Sequence, residues 1–174
     1  IDLGIENLAI TSEGEFFKNQ RLTNQFAAKL RRAQRTLSRR VKGSARWNRA
    51  RQQVALIQEK IANSRRDWVN KATTQLIRDN QAIYVETLKP SNMMKNRKLS
   101  KAIADCSWFE FVRQLEYKAG WYGRTFAKVS QWEPTSKRCS CCGHVVDKLP
   151  LNIREWNCPK CKEEHHRDVN AAKN

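Results

Sequence analysis

Two Cys-x-x-Cys pairs, Cys139/Cys142 and Cys158/Cys161, stand fifteen residues apart. Each pair predicts a tight knuckle that offers two thiolates on one side, and two knuckles close a tetrahedral zinc site. Gly143 suits the turn after the first pair, and Pro159 lies inside the second. The rival reading, two disulfides, is poor, because a Cys-x-x-Cys closed on itself is usually a redox centre rather than a brace. A full tetrathiolate leaves no position for water, so one structural Zn²⁺ is expected. Cys141 is a competing thiol inside the first knuckle. His144, His165 and His166 lie nearby and are expected to face solvent rather than the metal.

The rest of the 174-residue chain must build a core that carries this module. With 40% apolar residues and six Trp, it can. The formal net charge of +17 predicts a polyanionic partner, because each Lys or Arg laid on a phosphate releases condensed counterion. Nucleic acid is the default. A membrane is the rival, but no long apolar run or lipidation signal supports it. No signal peptide is visible, and paired thiols in a basic chain suit a reducing compartment, so a cytoplasmic, nucleoid-associated protein is expected. The chain opens at Ile1-Asp2-Leu3-Gly4 as if inside a strand and stops at Ala171-Ala172-Lys173-Asn174 as if one turn into a helix. It therefore reads as an excerpt of a longer protein.

Short apolar runs at 1–5, 8–11 and 15–17, broken at Ser12-Glu13-Gly14, predict an antiparallel meander. Two helices follow over 24–79. Phe26, Leu30, Ala33, Leu37 and Val41 mark the first; Gly43-Ser44 ends it, with Ser44 as the next N-cap. Trp47, Ala50, Val54, Ile57, Ile61, Ser64 and Trp68 mark the second, which lies back on the first as a hairpin. Residues 18–58 hold twelve Lys or Arg and no Asp or Glu, whereas a solvated helix normally mixes signs. The hairpin is thus a phosphate-facing surface, with Arg31, Arg35, Arg39, Arg46 and Arg49 as representative contacts. Ala82–Glu86 reads as an apolar strand ending in a carboxylate, and Thr87–Lys98 as a loop. Ser107 with Glu110 predicts a capping box that opens a helix with Phe111, Leu115, Ala119 and Tyr122 inward. Thr125–Val129 reads as a strand, and a last helix starts near Arg167-Asp168.

This order predicts an α/β chain with a mixed sheet, as in an RNase H-like fold carrying a basic helical hairpin and a zinc ribbon as inserts. The expected divisions are a core at 1–134 with the hairpin at about 24–80, the ribbon at 135–162 and the start of a final helix at 163–174. In that topology Asp2, Glu86 and Asp168 converge at one sheet edge. Three convergent acids cannot all stay ionised without cations, so two Mg²⁺ or Mn²⁺ ions are implied. Such a pair can activate water and stabilise the leaving oxygen of a phosphodiester.

These residues resemble the TnpB (OrfB) family, the RuvC-like nucleases of small insertion sequences related to type V CRISPR effectors. Asp2–Ala9 (DLGIENLA) resembles the first RuvC motif, Glu86–Lys89 (ETLK) followed by Met93-Met94 the second, and Arg167–Asn174 (RDVNAAKN) the third. Trp108–Gly123, Thr135–His144 and Arg154–Pro159 also match family patterns. The chain departs from them at Cys141, often Ser, at Lys162, commonly Gly, at His166, commonly Asp, and at Thr87, frequently Asp. The resemblance implies an RNA-guided, Mg-dependent DNA endonuclease with Asp2, Glu86 and Asp168 as catalytic metal ligands. Its implied partners are a guide RNA, a target DNA and an N-terminal recognition lobe of the same protein. Two alternatives stay open: a non-catalytic nucleic-acid binder, such as a guided repressor or ribosome-associated zinc protein, and a strand-transfer transposase.

Overall fold

A computed structural model describes residues 1–174. Three strands open it, β1 (Asp2–Leu3), β2 (Asn7–Ile10) and β3 (Phe16–Lys18), paired antiparallel with Asp2 opposite Ile10 and Ala9 opposite Phe17. This is the predicted meander. Gly4 is needed at its first corner, because a Cβ there would meet the Asn7 carbonyl oxygen at 3.0 Å.

A short α1 (Leu22–Gln25) then leads to α2 (Ala27–Ser38) and to the 35-residue α3 (Ala45–Asp79). At 1.5 Å per residue α3 is about 52 Å long. Its two halves do different work. Ala50, Val54, Ile57 and Ile61 face α2, whereas Val69, Ala72, Leu76 and Ile77 enter the main core. Ser44 caps α3 as expected, its Oγ accepting from the Trp47 N–H at 3.1 Å. The arm is thinner than predicted. No residue of α2 is fully buried, and Val41 lies past its end, 79% exposed.

Strand β4 (Ala82–Glu86) returns to the sheet, and β5 (Thr125–Val129) runs parallel to it in continuous register, Ala82 opposite Thr125 and Glu86 opposite Val129. The Ile1 amino group donates to Tyr84 O at 2.6 Å, and the Glu86 N–H donates to Ile1 O at 3.4 Å. These two bonds lay the parallel pair β4-β5 beside β1 of the three-stranded sheet β1-β2-β3, in a mixed α/β arrangement. Burial along β4 alternates, with Ile83 and Val85 inward and Tyr84 54% exposed, so its apolar composition overstates its burial.

Between β4 and β5 the predicted loop Thr87–Lys98 contains a short helix, α4 (Pro90–Met93), and an unpredicted helix, α5 (Ser100–Cys106), follows it before α6 (Trp108–Trp121). The capping box does not form. Ser107 flanks both helices, just after the end of α5 and just before the start of α6, in the left-handed region at φ 53°, and its side chain makes no cap bond. Glu110 instead pairs with Arg113 at 2.8 Å and accepts from Gln114. Phe111, Leu115 and Ala119 of α6 are buried as predicted, but Tyr122 is 46% exposed.

Two buried polar groups fix the helices. The Lys118 ammonium donates to Asn70 O, Asn70 Oδ1, Thr73 Oγ1 and Thr74 Oγ1 at 2.7–2.9 Å, pinning α6 to α3. Asp105 accepts from Thr23 N–H, Thr23 Oγ1 and Arg65, joining α5, α1 and α3 at the root of the arm. Strands β6 (Glu155–Asn157) and β7 (Glu164–His166) form an antiparallel pair in the cysteine module, and α7 (Arg167–Lys173) closes the chain against β1 and β2.

Candidate functional site

The four predicted cysteines meet. The sulfurs of Cys139, Cys142, Cys158 and Cys161 all lie within 4.8 Å of one another, with Cys139–Cys161 and Cys142–Cys158 both at 3.6 Å. A tetrahedron with zinc–sulfur bonds near 2.3 Å has edges of about 3.8 Å, so the cluster can hold one zinc ion. Burial would push the Cys158 thiol up, but the N–H groups of Cys161 and Lys160 and the adjacent sulfurs bring it down to about 6, the thiolate a metal needs. Cys141 stands outside the cluster and is exposed.

One of the three histidines differs from expectation. His165 is buried, tilted against Trp156 with ring centroids 4.9 Å apart, and its Nε2 lies 3.0 Å from Cys139 Sγ. That is the position of an outer donor to a metal thiolate. It is placed there by the β6–β7 pairing, which sets Trp156 opposite His165 and is not visible in the local sequence. Lys162, where the resembled family commonly has Gly, takes the left-handed conformation at φ 64° that Gly adopts freely.

The ribbon is bolted to α7. Asn170 is 2% exposed; its Oδ1 accepts from the Ser140 N–H, and its Nδ2 donates to Arg138 O at 2.7 Å. Asn174, one turn on, donates to Thr135 O and Arg138 O. The first knuckle therefore determines where the preceding turn of α7 lies.

That turn carries Asp168. Asp2, Glu86 and Asp168 line one cavity of about 460 Å³, together with Glu6, Arg154, His166 and Arg167. Glu86 ends β4, and its Oε1 accepts from the Leu3 N–H at 2.6 Å, across the β1–β4 seam. Burial raises the Glu86 pKa, the Leu3 N–H opposes it, and Asp168 raises it further. The Asp2 carboxyl is pushed up to about 7, first by burial, then by Glu86 and Asp168, with the Ile1 amino group and Arg167 pulling down. Three carboxyls crowded in one partly dry cavity suit divalent cations, since without one a proton is retained near neutrality. Asp168 also meets Arg154, a ribbon residue whose Nη1 is 3.0 Å from both carboxylate oxygens. Nothing in the sequence marks Arg154 as the partner of Asp168.

Arg31, Arg35, Arg39, Arg46 and Arg49 are all exposed on the α2–α3 arm, and none is in an ion pair. The structure thus gives two sites apart: an acid cavity on the sheet and a basic arm projecting from it. No helix is long and apolar enough to cross a membrane.

Comparison with known proteins gives a consistent relationship. Residues 1–97 match the OrfB_IS605 family, described as "Probable transposase", and residues 108–174 match the Cas12f1-like TNB domain. A Streptomyces pristinaespiralis protein, provisionally named an RNA-guided DNA endonuclease, is 45% identical over the whole chain, which covers 43% of it. Escherichia coli K12 InsQ, with the same provisional description, is 34% identical, the chain again matching in full and covering 47%. The chain thus spans a little under half the length of these curated relatives. Among solved structures, the Cas12f1–sgRNA–target DNA complex superposes with a TM-score of 0.64 over 98% of this chain and 47% of that one, at 20% identity. That likeness is one of fold.

Proposed function

This chain belongs to the OrfB_IS605 family, and from that premise we propose that it is the catalytic half of a transposon-encoded, RNA-guided DNA endonuclease of RuvC type. The observation that carries the reading is the shared cavity of Asp2, Glu86 and Asp168, three acids separated by more than eighty residues at each step. The antiparallel β1–β3 meander with the parallel β4–β5 pair beside it supports an RNase H-like core at 1–134, with the arm and the 135–162 ribbon as inserts and 163–174 as the last core helix. The provisional names of the relatives support an RNA guide and a DNA target as partners.

Asp2, Glu86 and Asp168 would hold two Mg²⁺ or Mn²⁺ ions. With its ions bound, the site supplies Lewis-acid activation of a water and of the scissile phosphate. The chain's own residues do the rest. The Leu3 N–H orients Glu86, and Arg154 fixes the direction of Asp168. The zinc knuckle, through Asn170, holds α7 at the cavity. The basic arm binds duplex backbone, which carries the protein's affinity while guide pairing reads the sequence.

The test is cleavage by the full-length protein with its RNA and Mg²⁺. Asp2→Ala and Glu86→Ala each abolish hydrolysis on this reading. Variants that cut as well as the parent, or joined strand-transfer products in place of hydrolysis, overturn it.

A further inference from the structure

We propose that the exposed face of α6 is a stacking track for the unpaired bases of single-stranded DNA. Phe109, Arg113, Tyr117 and Trp121 recur at strict intervals of four, so they stand on one face of the helix. Phe109 is 78% exposed and Trp121 76%. Their neighbours on this face already pack against one another, with the Tyr117 and Trp121 ring planes tilted at 56°. The Arg113 guanidinium carbon lies 5.4 Å from the Tyr117 ring centre, and the Tyr117 and Trp121 centroids are 4.6 Å apart. From Phe109 to Trp121 the row runs about 18 Å at 1.5 Å per residue. None of these four side chains is in the buried core, which α6 serves from its opposite face.

The ends of the row say where a strand on it would go. Phe109 and Arg113 wall a largely apolar pocket of about 370 Å³ whose far side is Leu3, Thr87 and Glu86. Glu86 also lines the acid cavity, so the track leads to it. Beside the row, Arg113 and Tyr117 border an 860 Å³ groove floored by Arg65 and Arg66 of α3. Arg66 makes no ion pair and is available to a phosphate.

A nucleic-acid strand fits this surface better than a protein does. The rings are interrupted by a guanidinium and edged by the ion pairs Arg113–Glu110 and Lys128–Glu116. An apolar partner covering the row would take both pairs out of water at a cost. Stacked bases instead leave the edges wet, tolerate an Arg plane among the rings, and need no sequence-specific contact. The inference deepens the nuclease reading by naming the strand's approach to Glu86, and it rests on that reading only for direction.

Fluorescence anisotropy in magnesium-free buffer tests it, with oligo(dT) and an abasic oligonucleotide of equal length as probes. The phosphates are then the same and only the bases differ. The parent chain binds oligo(dT) about tenfold more tightly than the abasic strand, as base–aromatic stacking implies. The Tyr117→Ala/Trp121→Ala variant loses that preference while its affinity for the abasic strand stays unchanged; Tyr117→Phe/Trp121→Phe retains it. Equal binding of both probes by the parent, or a preference that survives the double alanine change, overturns the proposal. So does an alanine variant that alters only the oligomeric state. The preference is read without magnesium and does not depend on whether the parent cuts DNA, so failure of the track and failure of the nuclease reading are read separately.

Discussion

Arg154 Nη1 lies 3.0 Å from both carboxylate oxygens of Asp168, so a residue of the cysteine module holds an acid of the cavity. The pair is also tied through the backbone, the Arg167 N–H donating to Arg154 O at 2.7 Å. Arg154→Ala frees Asp168 to rotate without disturbing any cysteine. Loss of such outer support typically lowers activity or metal affinity about 10–100-fold. Cleavage by the full-length protein is expected to fall in that range, with zinc content by elemental analysis unchanged.

The raised Asp2 pKa, about 7, has a consequence for stability. Its folded form holds a proton that the unfolded chain gives up near 3.8, the ordinary value for an aspartate. Between those values the folded state binds more protons, so stability falls as pH rises. The metal-free chain is therefore expected to lose stability from about pH 4 to about pH 7, by on the order of 4 kcal/mol from this group. Glu86 and Asp168 push in the same direction as Asp2's burial, while Arg167 and the Ile1 amino group oppose it. Urea unfolding of the parent and of Asp2→Asn across this range checks the claim; the variant's stability curve is the flatter of the two. Added Mg²⁺ restores the parent at the upper end, because it binds the ionised form.

Replacing Cys139 or Cys158 by Ser is expected to release zinc and unfold the ribbon, since metal affinity there is folding free energy. Cys141→Ser leaves one zinc per chain, because its sulfur lies outside the cluster. Elemental analysis with thermal unfolding distinguishes the two outcomes. The same Ser variants also loosen α7, whose Asn170 grips the first knuckle.

Much of this was legible in the sequence because the signals are local. Cys-x-x-Cys spacing needs only a knuckle, Ser44 needs only the next turn, and the meander needs only alternation and a turn at Ser12-Glu13-Gly14. The misses come from contacts distant in sequence. Helix α5 turns only Ile103, Asp105 and Cys106 inward and has no side-chain cap, so neither periodicity nor a start signal reveals it. Ser107 and Glu110 have capping-box spacing, yet two helices meeting at one residue force Ser107 into the left-handed region, where the motif cannot close. His165 was expected in solvent and is buried by its pairing opposite Trp156. Lys118, in an amphipathic helix, reads as a surface charge until α3 supplies four acceptors.

Asp105 illustrates the same point energetically. Its side chain is 4% exposed and bonded to Arg65 at 2.7 Å, with Thr23 supplying the other donors. Asp105→Ala leaves Arg65 and the Thr23 N–H without their partner, at a cost of about 2–3 kcal/mol for charge-assisted bonds of this kind. Chemical denaturation is expected to show that loss, and limited proteolysis to show earlier cutting around α1, where the arm joins the core.

Asp2, Glu86 and Asp168 are expected to bind divalent cations in common, and Mn²⁺ titration of the zinc-loaded chain followed by electron paramagnetic resonance tests that most directly. Alanine at any one of the three is predicted to weaken Mn²⁺ binding at least about tenfold, whereas Glu6→Ala, on the rim of the same cavity, has a smaller effect. Three single variants that bind Mn²⁺ as the parent does would contradict it.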